Sequence, residues 1–128
     1  MEQVQKLEFT LDPKGGVPYY KQIILQVEMA VADGRLTSGD QLPTVRSLAV
    51  DLKINPNTVA RAYNEMEIRG IVNTQQGTGT FVSDREITLS EVERERILSE
   101  IARSFVAQAS SYGLTLRDLI TYLQEMES

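Results

Sequence analysis

The 128-residue sequence predicts an α+β fold, and three observations carry that reading. Two helix starts, Thr44-Val45-Arg46-Ser47-Leu48-Ala49 and Asn55-Pro56-Asn57-Thr58-Val59, stand close together, with only Lys53-Ile54 and the Asn cap between the helices they open. Behind them, β-branched Ile71-Val72-Asn73-Thr74 and Thr80-Phe81-Val82 flank Gln75-Gln76-Gly77-Thr78-Gly79, the pattern of a hairpin. Beyond residue 84 the apolar residues recur at helical spacing to the end of the chain. A helix pair with a hairpin behind it is a winged helix-turn-helix. The expected organisation is that domain with an N-terminal arm over residues 1–84, then a two-helix dimerisation segment over 85–128.

Each element has its own justification. Val4, Leu7, Phe9 and Leu11 alternate and are followed by Asp12-Pro13-Lys14-Gly15-Gly16, which predicts an arm or short strand ending in a turn. Pro18 stands at a helix start, and Tyr20, Ile23, Ile24, Val27, Ala30 and Val31 form the apolar stripe of a first core helix that Asp33-Gly34 stops. Residues 35–42 are expected to be a loop. Thr44 is the expected cap of the next helix, with Val45, Leu48, Ala49 and Leu52 facing inward. Asn55 with Pro56 opens the second of the pair, which runs to Arg69 and stops at Gly70. Asp84 to Glu86 reads as a charged hinge. Thr88 and Glu91 read as a capping box for a long helix with Leu89, Val92, Ile97, Leu98, Ile101, Phe105 and Ala109 on one side, ended by Tyr112-Gly113. Thr115 and Asp118 open a last helix carrying Leu116, Leu119, Ile120 and Leu123.

Composition excludes several functions. With no cysteine there is no disulfide, zinc finger or thiol nucleophile, and with no histidine the usual general base and the commonest metal ligand are gone. No Walker loop, nucleophile elbow or dinucleotide fingerprint occurs, so an enzyme is not expected, nor any cofactor or metal. No run approaches the ~18 apolar residues of a membrane span, and the start of the chain lacks a secretory pattern; a cytoplasmic protein with no membrane partner is the expectation. The net charge of −5 opposes a simple basic nucleic-acid binder. Locally the balance differs. Between residues 41 and 83, Arg46, Lys53, Arg61 and Arg69 outnumber Asp51, Glu65 and Glu67, whereas from Arg85 onward acids exceed arginines. The bulk sign therefore does not exclude DNA and predicts weak non-specific binding.

At about 100° per residue, Val59, Ala62, Tyr63 and Met66 share one arc of the second helix, and Asn57, Arg61 and Asn64 share the opposite one. Arg pairs with guanine edges and Asn with adenine, so that polar arc suits a base-reading face. Its bland alternative is an ordinary solvated surface. Thr58 lies where free helix-start amides favour phosphate. Arg46 suits a backbone or base contact from the first helix of the pair, against an internal ion pair with Asp51 or Glu65. Thr44 is either a cap only or also a phosphate donor. Gln76, Gly77 and Thr78 form the hairpin tip, which approaches DNA or is merely a turn. Leu98, Ile101, Phe105, Leu116, Leu119, Ile120 and Leu123 need burial that two helices of this length do not supply for themselves, so a homodimer is expected. The competing class is a winged-helix module that binds protein, with no DNA contact.

The motif residues resemble the GntR family of bacterial transcription regulators. Leu42-Pro43-Thr44-Val45-Arg46-Ser47-Leu48-Ala49 is similar to its Leu-Pro-Ser/Thr-x-Arg-x-Leu-Ala element. Asn55-Pro56-Asn57-Thr58-Val59-x-Arg61-Ala62-Tyr63 with Glu67-x-x-Gly70 resembles its recognition helix, and Gly77-x-Gly79-Thr80-Phe81-Val82 its wing. The resemblance implies contacts to a double-stranded operator from Arg46, Asn57, Thr58, Arg61 and the wing at Gln76 and Gly77. The short segment after Arg85 looks like the YtrA-type branch, whose C-terminal helices dimerise and whose members often repress transporter operons, commonly their own. By implication the chain is an autoregulating repressor. A small-molecule effector stays unassigned, because two helices offer no obvious pocket of the ~300 Å³ such ligands occupy.

Overall fold

A computed structural model describes residues 7–84 and 88–127. The chain divides into two compact units, Met1–Glu86 and Ile87–Ser128. In the first unit the helices are α1 (Tyr19–Ala32), α2 (Val45–Leu52) and α3 (Pro56–Ile68), followed by the strands β1 (Val72–Gln75) and β2 (Gly79–Val82). The second unit holds α4 (Glu91–Ser111) and α5 (Leu116–Glu127). Among the described residues no helix is long and apolar enough to cross a membrane.

Helix α3 is the centre of the first unit because both α1 and α2 pack on it and β1 follows it at once. Its Val59, Ala62, Tyr63 and Met66 are buried together with Ile23, Ile24, Val27 and Ala30 of α1, Leu48 and Ala49 of α2, and Val72 and Val82 of the hairpin. Asn55 Oδ1 accepts from Asn57 N–H at 2.7 Å, and Pro56 fills the first helical position, where a missing N–H costs nothing. At the other end Gly70 takes φ 80°, which lets Ile71 N–H return to Met66 O at 2.9 Å. Val31, expected in the core, is instead exposed, since it lies one position past the stripe that faces α3.

The hairpin pairs Val72 with Val82, Asn73 with Phe81, Thr74 with Thr80 and Gln75 with Gly79. Gln75 and Gly79, expected in the turn, are thus the last paired residues, which leaves a three-residue tip. The expected loop before α2 also does more than connect. Gln41 bridges Phe81, while Leu42 N–H reaches Thr80 O and Val82 N–H reaches Asp40 O, each at 2.8 Å, so residues 39–42 lie along β2 like a short third strand.

The arm is extended but not a strand. Leu7, Phe9 and Leu11 pack on the core with alternating burial, and Val4 lies outside the described residues. In place of a ladder, two side-chain amides on α1 serve the arm. Gln26 bonds both Thr10 N–H (3.0 Å) and Thr10 O (2.8 Å), and Gln22 bonds Asp12 N–H (2.8 Å) and Asp12 O (2.9 Å). At i and i+4 these glutamines present one face to the arm.

In the second unit the cap of α4 corrects the sequence reading. Ser90, not Thr88, is the cap: Glu93 N–H donates to Ser90 Oγ at 3.1 Å and the Glu93 carboxylate returns to Ser90, so the box is Ser90–Glu93. Both spacings fit the same motif, and Ser90 brings an acidic side chain to the third helical position. Leu89 therefore precedes the helix, and Val92 is exposed on its first turn. The hinge residues Arg85 and Glu86 lie outside the described residues. Thr115 and Asp118 cap α5 reciprocally, at 3.1 and 2.8 Å.

One buried polar bond ties α3 to the approach to α2: Tyr63 Oη donates to Pro43 O at 2.6 Å. Tyr63→Phe leaves that carbonyl unpaired and should cost about 1–3 kcal/mol in urea unfolding. Burial pushes the phenol above its ordinary value of 10.0, so the folded state holds the proton more tightly than the unfolded chain. The contribution is whole below pH ~10 and is lost as pH rises above it; in Tyr63→Phe that alkaline decline should be shallower.

Candidate DNA-binding site

Burial of one face of α3 turns its opposite face to solvent, and Asn57, Arg61 and Asn64 are all exposed there. Neither Asn side chain is bonded to another group among the described residues, so both amides are open to a partner. Arg61 differs. Its guanidinium carbon lies 3.9 Å from the centroid of the Tyr20 ring on α1, and its Nη2 donates to Tyr20 Oη at 3.3 Å.

At the start of α3 the backbone is already satisfied. Pro56 has no N–H, Asn57 N–H is held by its cap, and Thr58 N–H donates to Asn55 O at 2.9 Å. The expectation that free amides near Thr58 seat a phosphate is corrected, because a Pro at the first position and an Asn cap consume those donors. What half-exposed Thr58 offers instead is its hydroxyl.

On α2, exposed Arg46 makes no ion pair among the described residues, and Glu65, one of its expected internal partners, is bonded to Arg69 at 3.3 Å. Arg69 also pairs with Glu28 at 3.2 Å, which removes it from the positive surface. Thr44 acts as a cap, its Oγ1 accepting from Ser47 N–H at 3.0 Å. That bond uses a lone pair, so the hydroxyl proton can still be given to a phosphate.

The tip residues Gln76, Gly77 and Thr78 join Thr44 and Val45 around an open cleft of about 680 Å³, with Glu67 and the strands beside them. The Glu67 carboxylate opposes entry of a phosphate into the cleft itself, so the tip and its edges are the accessible part of the wing. Gln41 sets the wing's pose: its Nε2 donates to Thr78 O at 3.2 Å, and a Cβ on Gly79, whose φ is +141°, would collide with that amide. Sequence reading found neither Gln41 nor Tyr20. Gln41 lay in a stretch read as loop, and Tyr20 fitted a core stripe whose polar tip gave no hint of what it faced.

The geometry is that of a reading helix with a wing beside it, and residues 19–82 match the family model described as bacterial regulatory proteins, gntR family. The chain belongs to the GntR family. Among its relatives it is similar to the HTH-type transcriptional repressor YtrA of Bacillus subtilis (strain 168), 34% identical over 118 residues covering 92% of this chain and 91% of that one. It is also similar to the uncharacterized HTH-type transcriptional regulator YhcF of the same organism, 38% identical over 103 residues covering 80% and 84%. Among solved structures, a transcriptional antiterminator from Listeria monocytogenes EGD-e superposes with a TM-score of 0.78 at 25% identity, covering 97% of this chain and 92% of that one. This GntR protein is accordingly a DNA-binding transcriptional regulator of the short YtrA type and not an enzyme.

Gly79→Ala should cost about 1–3 kcal/mol of stability in thermal unfolding, because the backbone conformation disfavours a side chain and Gln41 must give way. Duplex binding by the variant should weaken several-fold at temperatures where it remains folded, measured by fluorescence anisotropy.

Proposed function

We propose that the chain is a homodimeric repressor that reads a two-fold related operator at its own, transporter-encoding operon in the cytoplasm. Residues 1–84 are the reader and residues 85–128 the dimerisation segment. The observation that carries the proposal is the exposed Asn57, Arg61 and Asn64 arc, held outward by the buried opposite face of α3. Arg61 reads a guanine edge and the two asparagines read adenine edges. Arg46, Thr44 and Thr58 serve the phosphate chain, and Gln76, Gly77 and Thr78 bring the wing against the neighbouring groove or backbone.

What the second unit leaves open supports the dimer. Among its described residues only Ala109 is buried, while Leu98, Ile101 and Phe105 on α4 and Leu116, Ile120 and Leu123 on α5 are exposed, and Leu119 is half-buried. On α4 three of these stand at i, i+3 and i+7, and on α5 four stand at i, i+3, i+4 and i+7, the spacing of a helix face that packs on another. A second copy buries these stripes and presents two reading heads together, as half-sites about 34 Å or a multiple apart demand. The sequence likeness to a protein named as a repressor supports the sign of the regulation.

Footprinting on the promoter upstream of the gene tests the operator. Arg61→Ala should reduce preference for that operator over random duplex by about 5- to 150-fold, the equivalent of ~1–3 kcal/mol for a lost bidentate base contact. Arg46→Ala should weaken operator and random DNA alike and lower the slope of log K against log salt by about one. Equal binding to both duplexes by the wild type, or a flat salt response, rejects the reading in favour of a protein-binding module. Phe105→Asp combined with Ile101→Asp should convert the dimer to a monomer in sedimentation equilibrium and cut operator affinity at least tenfold, while the winged domain stays folded by circular dichroism.

A further inference from the structure

We propose that Tyr20 is a specificity-positioning residue for DNA reading, acting through Arg61. The inference rests on the assignment of Arg61 to base readout and adds to it a residue outside the helix-turn-helix.

An arginine on a solvent face has four free side-chain torsions, and a guanidinium that wanders cannot select one base edge. Arg61 does not wander over its full range, because its guanidinium stacks 3.9 Å from the Tyr20 centroid and donates one hydrogen bond to the phenol oxygen. That separation is well within the ~6 Å reach of a cation–π contact. Tyr20 is itself a firm support. It lies on the first turn of α1, packs against the buried cluster, and moves through only two torsions. Since α1 packs on α3, ring and guanidinium are carried by two helices of one core.

The choice of an aromatic partner over an acid matters electrostatically. A carboxylate in that place would hold Arg61 equally well, but it would cancel the charge and repel phosphate. The acids nearest in sequence and on the facing helix, Glu65 and Glu28, are bonded to Arg69 instead. Tyr20 leaves the positive charge whole. The bond to Tyr20 occupies one of the five guanidinium N–H donors, so a bidentate pair of donors stays available for the O6 and N7 edge of guanine. The device therefore pre-orders the side chain before DNA arrives, and it lowers the entropy lost on contact.

The test is a double-mutant cycle read on base preference rather than on binding alone. The probe is a duplex enriched by the wild-type dimer from a randomised pool, compared with the same duplex carrying a substitution at the base pair whose identity ceases to matter in Arg61→Ala. Tyr20→Leu should lose about 3- to 30-fold of the preference at that base pair. Tyr20→Phe, which keeps the ring and drops the phenol bond, should lose less than about threefold. In the Arg61→Ala background, Tyr20→Leu should change the preference by less than about twofold. Thermal unfolding monitors the fold, and if Tyr20→Leu does not fold, Tyr20→Met supplies the same loss of ring with more apolar volume.

Undiminished preference in Tyr20→Leu, alongside a loss in Arg61→Ala, overturns the role of Tyr20 and leaves Arg61 as the reader. A gain in preference overturns it too, since Tyr20 would then be holding the guanidinium away from DNA. If no base pair loses its influence in Arg61→Ala, the assignment of Arg61 to readout fails and the positioning role falls with it.

Discussion

Rotation of α3 about its own axis is set by four buried side chains, Val59, Ala62, Tyr63 and Met66, and most of the proposed reading surface depends on it. A helix turned by a single residue's 100° would carry Arg61 and Asn57 toward the core and lift apolar groups into solvent, at about 1.5–3 kcal/mol for each large side chain exposed. The core that prevents this comes from every element of the first unit. Helix α1 supplies Ile23, Ile24, Val27 and Ala30, α2 supplies Leu48 and Ala49, and the hairpin supplies Val72 and Val82. The Tyr63 bond to Pro43 adds a directional contact to these non-directional ones, and it joins α3 to the segment that opens α2.

An acidic chain that binds DNA must spend its positive charges selectively. Here Arg69 is consumed by Glu28 and Glu65, which lace α3 to α1. Among the described residues Arg46 pairs with no carboxylate, and Arg61 takes an aromatic neighbour that leaves its charge intact. Surface pairs such as those of Arg69 contribute little to stability, on the order of 0–1 kcal/mol. Their larger effect is to fix which guanidinium groups remain open. With a net charge of −5 the chain gains little from counterion release on an arbitrary duplex, so the proposed base contacts would carry more of the discrimination.

The second unit presents the opposite problem. Two capped helices joined at Gly113 bury little of their own apolar surface, and the stripes on α4 and α5 stay open to solvent. Each helix is well specified locally, by the Ser90–Glu93 box and the Thr115–Asp118 pair. Caps of about 1 kcal/mol define where a helix begins but do not supply a core. The proposed second copy supplies it.

Periodicity, caps and glycine stops in the sequence are local properties, and they are enough to place the five helices and the hairpin of the described residues and to separate the buried arc of α3 from the exposed one. They erred where two local solutions compete, as with Thr88 and Ser90, since a capping box needs only a hydroxyl and an acid three residues on. The amides expected to be free near Thr58 are taken up locally, because Pro56 has no N–H and Asn55 caps Asn57. Contacts between residues far apart in the chain were decided by tertiary structure alone. The pairing of Arg61 with Tyr20 and of Gln41 with Thr78 joins positions separated by 41 and 37 residues, and no spacing rule reaches across such gaps. Local chemistry determined what each helix and turn would be. Only packing decided which side chain would stand beside which, because the partners of a surface arginine or a loop glutamine exist only after the core has closed.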